Sequence, residues 1–264
     1  MRRFAYLTVG GAILAAVVAG CASKTSTPPQ VVPLPTPQVQ ETPAPTRAQI
    51  RADLAAGYYE RGQMEVALQE LTEAVKLDPT NPKIYNVYGL VYAMLAQDRD
   101  AELNFRRALE IAPNDSEIRH NWGWYLCTRG RARESLAEFD LAVRNPLYRT
   151  PEVALINAGK CAASVGENKR AEDYYRRALS VAPANVIAAY NLSLLVYKEA
   201  RLDEARLVIR PVMLQNSPPA EALYLGMCIE RKLGDRQAEA SYASQLRNRY
   251  PGAAETKAIP GACE

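Results

Sequence analysis

The fold is decided by residues 73–92, EAVKLDPTNPKIYNVYGLVY, and by a second copy of the same pattern at residues 107–126, RALEIAPNDSEIRHNWGWYL. Pro79 and Pro113 hold equivalent places in the two copies, so the pattern repeats with a period of about 34 residues. A third copy, RALSVAPANVIAAYNLSLLVY at residues 177–197, has its proline two periods plus two residues after the second. Because the residue before a proline disfavours helical backbone angles, each proline closes a helix. The pattern therefore predicts pairs of helices that repeat along the chain.

This period and pattern resemble those of the tetratricopeptide repeat (TPR), a unit of two antiparallel helices. The copy from Pro82 to Asp115 carries the TPR signature most fully, at Tyr85, Tyr88, Gly89, Tyr92, Ala101, Phe105, Ala108 and Pro113. The resemblance implies an all-α fold: a TPR solenoid of about six helix-turn-helix repeats that forms a right-handed superhelix over residues 47–252. The fifth repeat, from about Val186, is degenerate.

Residues 1–20 predict a secretory signal peptide, with a positive start at Arg2 and Arg3 and an uncharged, apolar run behind it. That run is shorter than the ~20 residues that a membrane-spanning helix needs. Residues 18–21, VAGC, resemble a bacterial lipobox, which implies cleavage before Cys21 and lipidation of its thiol. Because no aspartate follows the cysteine, the same resemblance favours the outer membrane. The alternative is an ordinary signal peptide with a chance cysteine.

The composition changes on both sides of the predicted repeats. Residues 21–46 follow the signal peptide and are dense in Pro, Thr and Gln, which favours an extended tether behind the lipid-bearing cysteine. Residues 253–264 form a short tail.

The formal net charge is +3, and about +1 remains when Arg2 and Arg3 are removed. So small a net charge does not indicate a protein that binds nucleic acid.

The chain has five cysteines, and four remain if Cys21 carries lipid. An exported protein enters an oxidising compartment, where four cysteines can pair in three ways. Cys127 and Cys161 lie one period apart in the first helices of adjacent repeats, so a disulfide between them is geometrically plausible. The alternative is two buried free thiols. Cys228 and Cys263 would then pair by elimination.

The central segment contains the motif GWYLC…NPLY…NAGKC within residues 123–161. Together with the lipobox, the tether and about six TPRs, it resembles the type IV pilus biogenesis and stability lipoproteins, PilW/PilF. The resemblance covers the chain from Cys21 onward. It implies a pilotin-like adaptor, lipid-anchored on the periplasmic face of the outer membrane, that helps the pilus secretin to reach or assemble in that membrane. The implied partners are secretin subunits and, through the lipid, the inner leaflet of the outer membrane.

In a TPR array the first helices of successive repeats line the concave face. This face assignment predicts a partner-binding groove formed by Tyr59, Asn86, Leu90, Met94, His120 and Trp124. The same assignment adds Ala56 in repeat 1 and Tyr190, Leu194 and Tyr197 in repeat 5. The apolar members suit an apolar peptide or helix that lies in a groove. The alternative for each of them is ordinary packing inside the solenoid.

The sequence offers no residues for an enzyme. His120 is the one histidine, and P-loop, GxSxG, GxGxxG and CxxC motifs are all missing from the sequence. We therefore expect no catalytic residues, metal site, cofactor or small-molecule substrate. Two functions remain: the pilotin-like adaptor, and a generic periplasmic TPR scaffold in envelope or outer-membrane protein assembly.

Overall fold

A computed structural model of the chain describes residues 42–261 and residue 263. The predicted signal peptide, Cys21 and the tether up to Glu41 lie outside the described residues. The described part contains thirteen α-helices and no strand. In chain order they are α1 (Ala44–Glu60), α2 (Met64–Leu77), α3 (Pro82–Met94), α4 (Asp98–Ile111), α5 (Ser116–Thr128), α6 (Ala132–Ala142), α7 (Pro151–Ser164), α8 (Asn168–Val181), α9 (Val186–Lys198), α10 (Leu202–Met213), α11 (Ala220–Leu233), α12 (Arg236–Arg249) and α13 (Ala254–Ala258). Among these helices none is both long enough and apolar enough to cross a membrane.

The first twelve helices form six pairs, and each pair is one repeat, from α1–α2 as repeat 1 to α11–α12 as repeat 6. Each odd-numbered helix from α1 to α9 also contacts the next odd-numbered helix, so the repeats stack in chain order. The pairs and their stacking confirm the predicted all-α TPR solenoid.

Small residues set the distance between the two helices of a repeat. A Cβ atom built on Gly89 of α3 would lie 2.8 Å from the ring of Phe105 in α4. A Cβ atom on Gly159 of α7 would lie 2.5 Å from the ring of Tyr175 in α8. Both rings are buried, so neither has free space to move into. Each glycine therefore lets its helix approach a large aromatic ring on the partner helix.

The prolines and the residues after them define where helices end and begin. Helices α2, α4 and α8 each end two residues before the proline of their repeat. Asn81, Asp115 and Asn185 then accept hydrogen bonds from backbone N–H groups in the first turns of α3, α5 and α9. A side-chain acceptor at this position satisfies N–H groups that have no partner inside the helix.

Helix α1 begins at Ala44, three residues before the predicted start of the array at residue 47. The proline-rich composition continues to Pro45, which the prediction assigned to the tether. Pro45 instead lies in the first turn of α1. A helix tolerates proline there because the N–H that proline lacks would have no partner within the helix.

Two arginines link neighbouring repeats in the same way. Arg131, which precedes α6, pairs with Glu102 of α4 at 2.8 Å. Arg201, two repeats later, precedes α10 and pairs with Glu172 of α8 at 2.7 Å. Each arginine also pairs with the glutamate three residues further along the chain. Hydrogen bonds from Arg201 and Arg176 hold the pKa of Glu172 at about 2, so this carboxylate is charged at neutral pH.

The connection between repeats 3 and 4 is the longest connection between repeats. Eight residues, 143–150, separate α6 from α7, whereas four separate α4 from α5. A disulfide joins Cys127 of α5 to Cys161 of α7, with the two Cα atoms 5.9 Å apart. This is the pair that the sequence favours, and it links the two repeats on either side of the long connection.

The predicted tail, residues 253–264, contains α13, which contacts α11 and α12. The guanidinium of Arg231 in α11 donates hydrogen bonds to the carbonyl oxygens of Ile259 at 3.0 Å and Gly261 at 2.7 Å. A second disulfide joins Cys263 to Cys228 of α11, with Cα atoms 5.4 Å apart. The described residues of the tail therefore pack on the last repeat.

Candidate binding groove

The first helices of repeats 1 to 4 enclose a cavity of 410 Å³, which we call the N-terminal cavity. Its walls come from α1, α3, α5 and α7, the side of the array that the TPR pattern predicts as the groove. Five of the six predicted groove residues line it: Tyr59, Asn86, Leu90, His120 and Trp124. Ala56 lines it as well. Residues that are far apart in sequence thus meet at one surface.

The N-terminal cavity combines apolar and polar side chains. Tyr59, Leu90 and Trp124 are partly buried and supply the apolar area. Burial raises the pKa of Tyr59, so its hydroxyl stays protonated at neutral pH. Glu60 and Glu117 add exposed carboxylates at the same cavity. A peptide with apolar side chains and neighbouring polar groups fits such a lining.

His120 connects three parts of the chain through hydrogen bonds. Its Nε2 lies 2.9 Å from Nδ2 of Asn157 in α7, and an amide nitrogen can only donate. Nδ1 therefore carries the ring proton and donates a hydrogen bond to the hydroxyl of Tyr148 at 2.8 Å. Burial lowers the pKa of His120 to about 4, so the ring is neutral at pH 7. His120 thus links α5 to α7 and to the connection between repeats 3 and 4.

A second cavity, of 350 Å³, lies between α7, α9 and α11, and we call it the C-terminal cavity. Lys160, Ile187, Tyr190, Asn191 and Glu221 are among its lining residues. It therefore includes Tyr190, which the sequence places in the groove. Leu194, the next predicted residue of repeat 5, is partly buried and packs against the core.

Tyr197 lies in the core and not in the groove, which corrects the prediction. Its side chain is only 4% exposed. Its hydroxyl donates to the carbonyl oxygen of Cys263 at 3.0 Å, and the ammonium of Lys232 lies 4.3 Å from its ring centroid. The repeat position alone indicates a groove residue, but the end of the chain covers this part of α9. The repeat pattern contains no information about where the tail folds.

Met94 lies outside the N-terminal cavity, although the sequence places it in the groove. It is the last residue of α3 and is 55% exposed. Conversely, Asn121 and Asn157 line the cavity and were not predicted. A sequence signal for them does exist: Asn121, Asn157 and Asn191 hold the same position in the first helices of repeats 3, 4 and 5.

The described residues contain no group of three or more His, Cys, Asp or Glu side chains close enough to hold a metal ion. What the two cavities offer is contact area and hydrogen-bonding groups on a face shared by several helices. Six stacked helix pairs with cavities across their first helices define a TPR protein of the class that binds peptides or proteins.

Comparison with known proteins gives the family. The models "TPR repeat" and "Tetratricopeptide repeat" match residues 57–95 and 153–185. A crystal structure of PilW, a widely conserved type IV pilus biogenesis factor, is 32% identical, covers 81% of this chain and 98% of that one, and has a TM-score of 0.69. The type IV pilus assembly protein PilF of Pseudomonas aeruginosa is 25% identical over 202 residues, 76% of this chain and 80% of PilF. A structure from work on Pseudomonas aeruginosa PilF gives a TM-score of 0.73 over 83% of this chain and 99% of that one, at 23% identity.

The chain belongs to the PilW/PilF family of type IV pilus biogenesis TPR proteins, as its sequence predicts.

Proposed function

We propose that this protein is a pilotin-like lipoprotein that binds subunits of the pilus secretin through its TPR groove. It stands on the periplasmic face of the outer membrane, anchored there by a lipid on Cys21, and promotes localisation and multimerisation of the secretin in that membrane. Its type IV pilus role rests on the family, whereas the secretin partner and the location are the proposal.

The observation that carries the proposal is the N-terminal cavity. It brings Tyr59, Leu90 and Trp124 from three different repeats to one partly open surface. A protein whose task is to hold a partner needs such a site, because apolar side chains that remain accessible can bury area on binding. The VAGC motif supports the proposed membrane anchor, since acyl chains on Cys21 would fix the array to a membrane.

The groove is tested by comparing two apolar residues of α3. Leu90→Asp places a charge in the N-terminal cavity, whereas Met94→Asp places one just outside it. We expect pull-down from detergent-solubilised outer membranes to recover the secretin with the wild type and with Met94→Asp, and to lose most of it with Leu90→Asp. Circular dichroism and thermal unfolding establish that both variants are folded, and Tyr59→Ala serves as a second groove variant.

Recovery of the secretin by folded Leu90→Asp and Tyr59→Ala would move the partner site away from this cavity. The pilotin proposal would fail if neither the wild type nor any variant recovered secretin. The proteins that co-purify would then identify the client of a more general periplasmic scaffold.

The anchor is tested with Cys21→Ala. We expect the repeats to fold normally, the protein to leave the outer-membrane fraction, and secretin multimers in that membrane to decrease. Separation of the membranes by density gradient, followed by immunodetection of monomeric and multimeric secretin, measures all three effects. Unchanged outer-membrane multimers in the presence of a non-lipidated protein would contradict the proposal.

A further inference from the structure

Three asparagines form a row across the middle repeats, which we call the asparagine row: Asn121 of α5, Asn157 of α7 and Asn191 of α9. They hold the same position in their repeats. Asn121 and Asn157 line the N-terminal cavity, and Asn191 lines the C-terminal cavity. The row therefore runs from one cavity to the other.

Each amide of the row is oriented by one internal hydrogen bond from its Nδ2. Asn121 donates to Oδ1 of Asn86 at 3.3 Å, and Asn86 is itself only 3% exposed. Asn157 donates to His120 at 2.9 Å, and Asn191 donates to the carbonyl oxygen of Ile187 at 2.7 Å. Within residues 42–261 and Cys263, no group donates to the Oδ1 atoms of the row. A carboxamide held in this way keeps one acceptor oxygen and one N–H for a ligand.

A peptide main chain offers the matching groups, because each residue presents one N–H and one C=O. Adjacent packed helices lie about 8–10 Å apart. An extended chain advances about 3.3 Å per residue, so three residues span about 10 Å. One asparagine per repeat thus matches every third residue of an extended segment, whereas three residues of an α-helix advance only about 4.5 Å.

The two ends of the row carry different charges. Glu60 and Glu117 line the N-terminal cavity, Lys160 and Glu221 line the C-terminal cavity, and none of the four forms an ion pair with another described residue. Lys83, the other ionised residue of the N-terminal cavity's lining, already pairs with Asp53 at 2.5 Å. A bound segment with a basic side chain toward repeats 1 to 3 is therefore electrostatically complementary, whereas the C-terminal cavity offers one charge of each sign.

The end of this chain supplies an internal example of main-chain recognition by first-helix side chains. Tyr197 of α9 and Arg231 of α11 donate hydrogen bonds to the carbonyl oxygens of Cys263, Ile259 and Gly261. All three acceptors are main-chain atoms in non-helical residues of the tail. First helices of this array thus already bind a non-helical chain through its backbone.

We infer that the asparagine row binds one extended segment of a protein partner through its main chain, with a basic residue of that segment toward Glu60 and Glu117. This inference rests on the proposed function, in which the groove is the partner site. His120 holds Asn157 in place through the hydrogen bond to its Nε2.

The test uses the full-length lipidated protein in detergent and an array of 15-residue peptides. One set tiles the periplasmic part of the secretin from the same bacterium, and the other has random sequences. Asn121→Ala and Asn191→Ala remove members of the row. Asn104→Ala on α4 is the matched control, since Asn104 also donates to the carbonyl oxygen four residues earlier and is half-buried like Asn191, but lies on a second helix and lines neither cavity.

We expect each row variant to weaken binding of the best peptide about fivefold to tenfold, the effect of one lost hydrogen bond, and the control to change it less than twofold. Replacing single amides of the peptide by esters should weaken binding at positions three residues apart. An ester at the position that faces Asn121 should then add nothing to the loss caused by Asn121→Ala.

Equal binding by folded row variants, a helical bound peptide, or no binding to any peptide of either set would overturn the inference. In each case, recovery of whole secretin in the pull-down would leave the proposed function standing. A third outcome is that random peptides bind through the row, while no secretin peptide binds and no secretin is recovered. That outcome would support main-chain binding by the row and reject the secretin as the partner.

Discussion

At the scale of single residues, the contact between the two helices of a repeat is built in interchangeable ways. In repeat 3 the hydroxyl of Ser135 on α6 donates to the carbonyl oxygen of Gly123 on α5 at 2.7 Å. In repeat 5 the roles are reversed, since Ser193 on α9 donates to the carbonyl oxygen of Ala205 on α10 at 2.9 Å. Both serines are buried. A small hydroxyl on either helix therefore satisfies a backbone carbonyl without widening the helix pair.

The glycines at this contact differ in what a methyl group would meet. Gly159→Ala should destabilise the protein by about 1–2 kcal/mol, because its Cβ would overlap the buried ring of Tyr175 and outweigh the gain in helix propensity. Gly226→Ala is the matched control, since its Cβ would mainly meet the terminal methyl of Met213, which can rotate away. Urea unfolding measures both variants. If the two substitutions changed the free energy of unfolding equally, the ring of Tyr175 would not be what makes Gly159 necessary.

His120 makes stability depend on pH. Its pKa is about 4 in the folded protein and 6.5 in the unfolded chain, so between these values the unfolded chain binds more protons. Stability is therefore full above pH 6.5 and falls as the pH drops toward 4, by up to about 3 kcal/mol. His120→Gln should flatten that part of the profile of unfolding free energy against pH. Parallel profiles for the wild type and the variant would show that this histidine is not responsible.

At the scale of helices, the disulfide between α5 and α7 joins two repeats across the longest connection. Replacing Cys127 and Cys161 by serine should lower the free energy of unfolding by about 3–4 kcal/mol, since the two cysteines are separated by 34 positions in the sequence and close a long loop. The variant Cys228→Ser, Cys263→Ser is the comparison, because it releases only the tail from α11. Chemical unfolding without reductant measures both. An unchanged midpoint for the first variant would mean that the loss of this cross-link does not destabilise repeats 3 and 4.

The helices were predictable from the sequence because each repeat carries its own local signals. Prolines end helices, capping residues begin them, and Gly89 with Phe105 identifies the pair. The groove was predictable only in part. Tyr197 is covered by residues 66 positions away, which no repeat pattern encodes. Asn121 and Asn157 were missed because the face assignment took the position of His120 and Tyr190, one residue earlier in the repeat, and named no residue of repeat 4.

At the scale of the whole described array, the tail residues stabilise one end. Removing residues 253–264, with Cys228→Ser to avoid a free thiol, should speed amide hydrogen exchange in α9 to α12 and leave α1 to α6 unchanged. The reason is that each repeat of a solenoid contacts only its neighbours, so a loss at one end stays local. The full chain with Cys228→Ser alone is the control. Faster exchange along all helices would mean that the array unfolds as a single cooperative unit.

The link from Arg131 to Glu102 recurs two repeats later as the link from Arg201 to Glu172. The connections inside these two pairs of repeats are also equal in length, since four residues separate repeat 2 from repeat 3 and four separate repeat 4 from repeat 5. Repeats 2 and 3 are therefore joined in the same way as repeats 4 and 5. Each of these pairs can be exchanged as a block, because its ion pair and its four-residue connection travel with it.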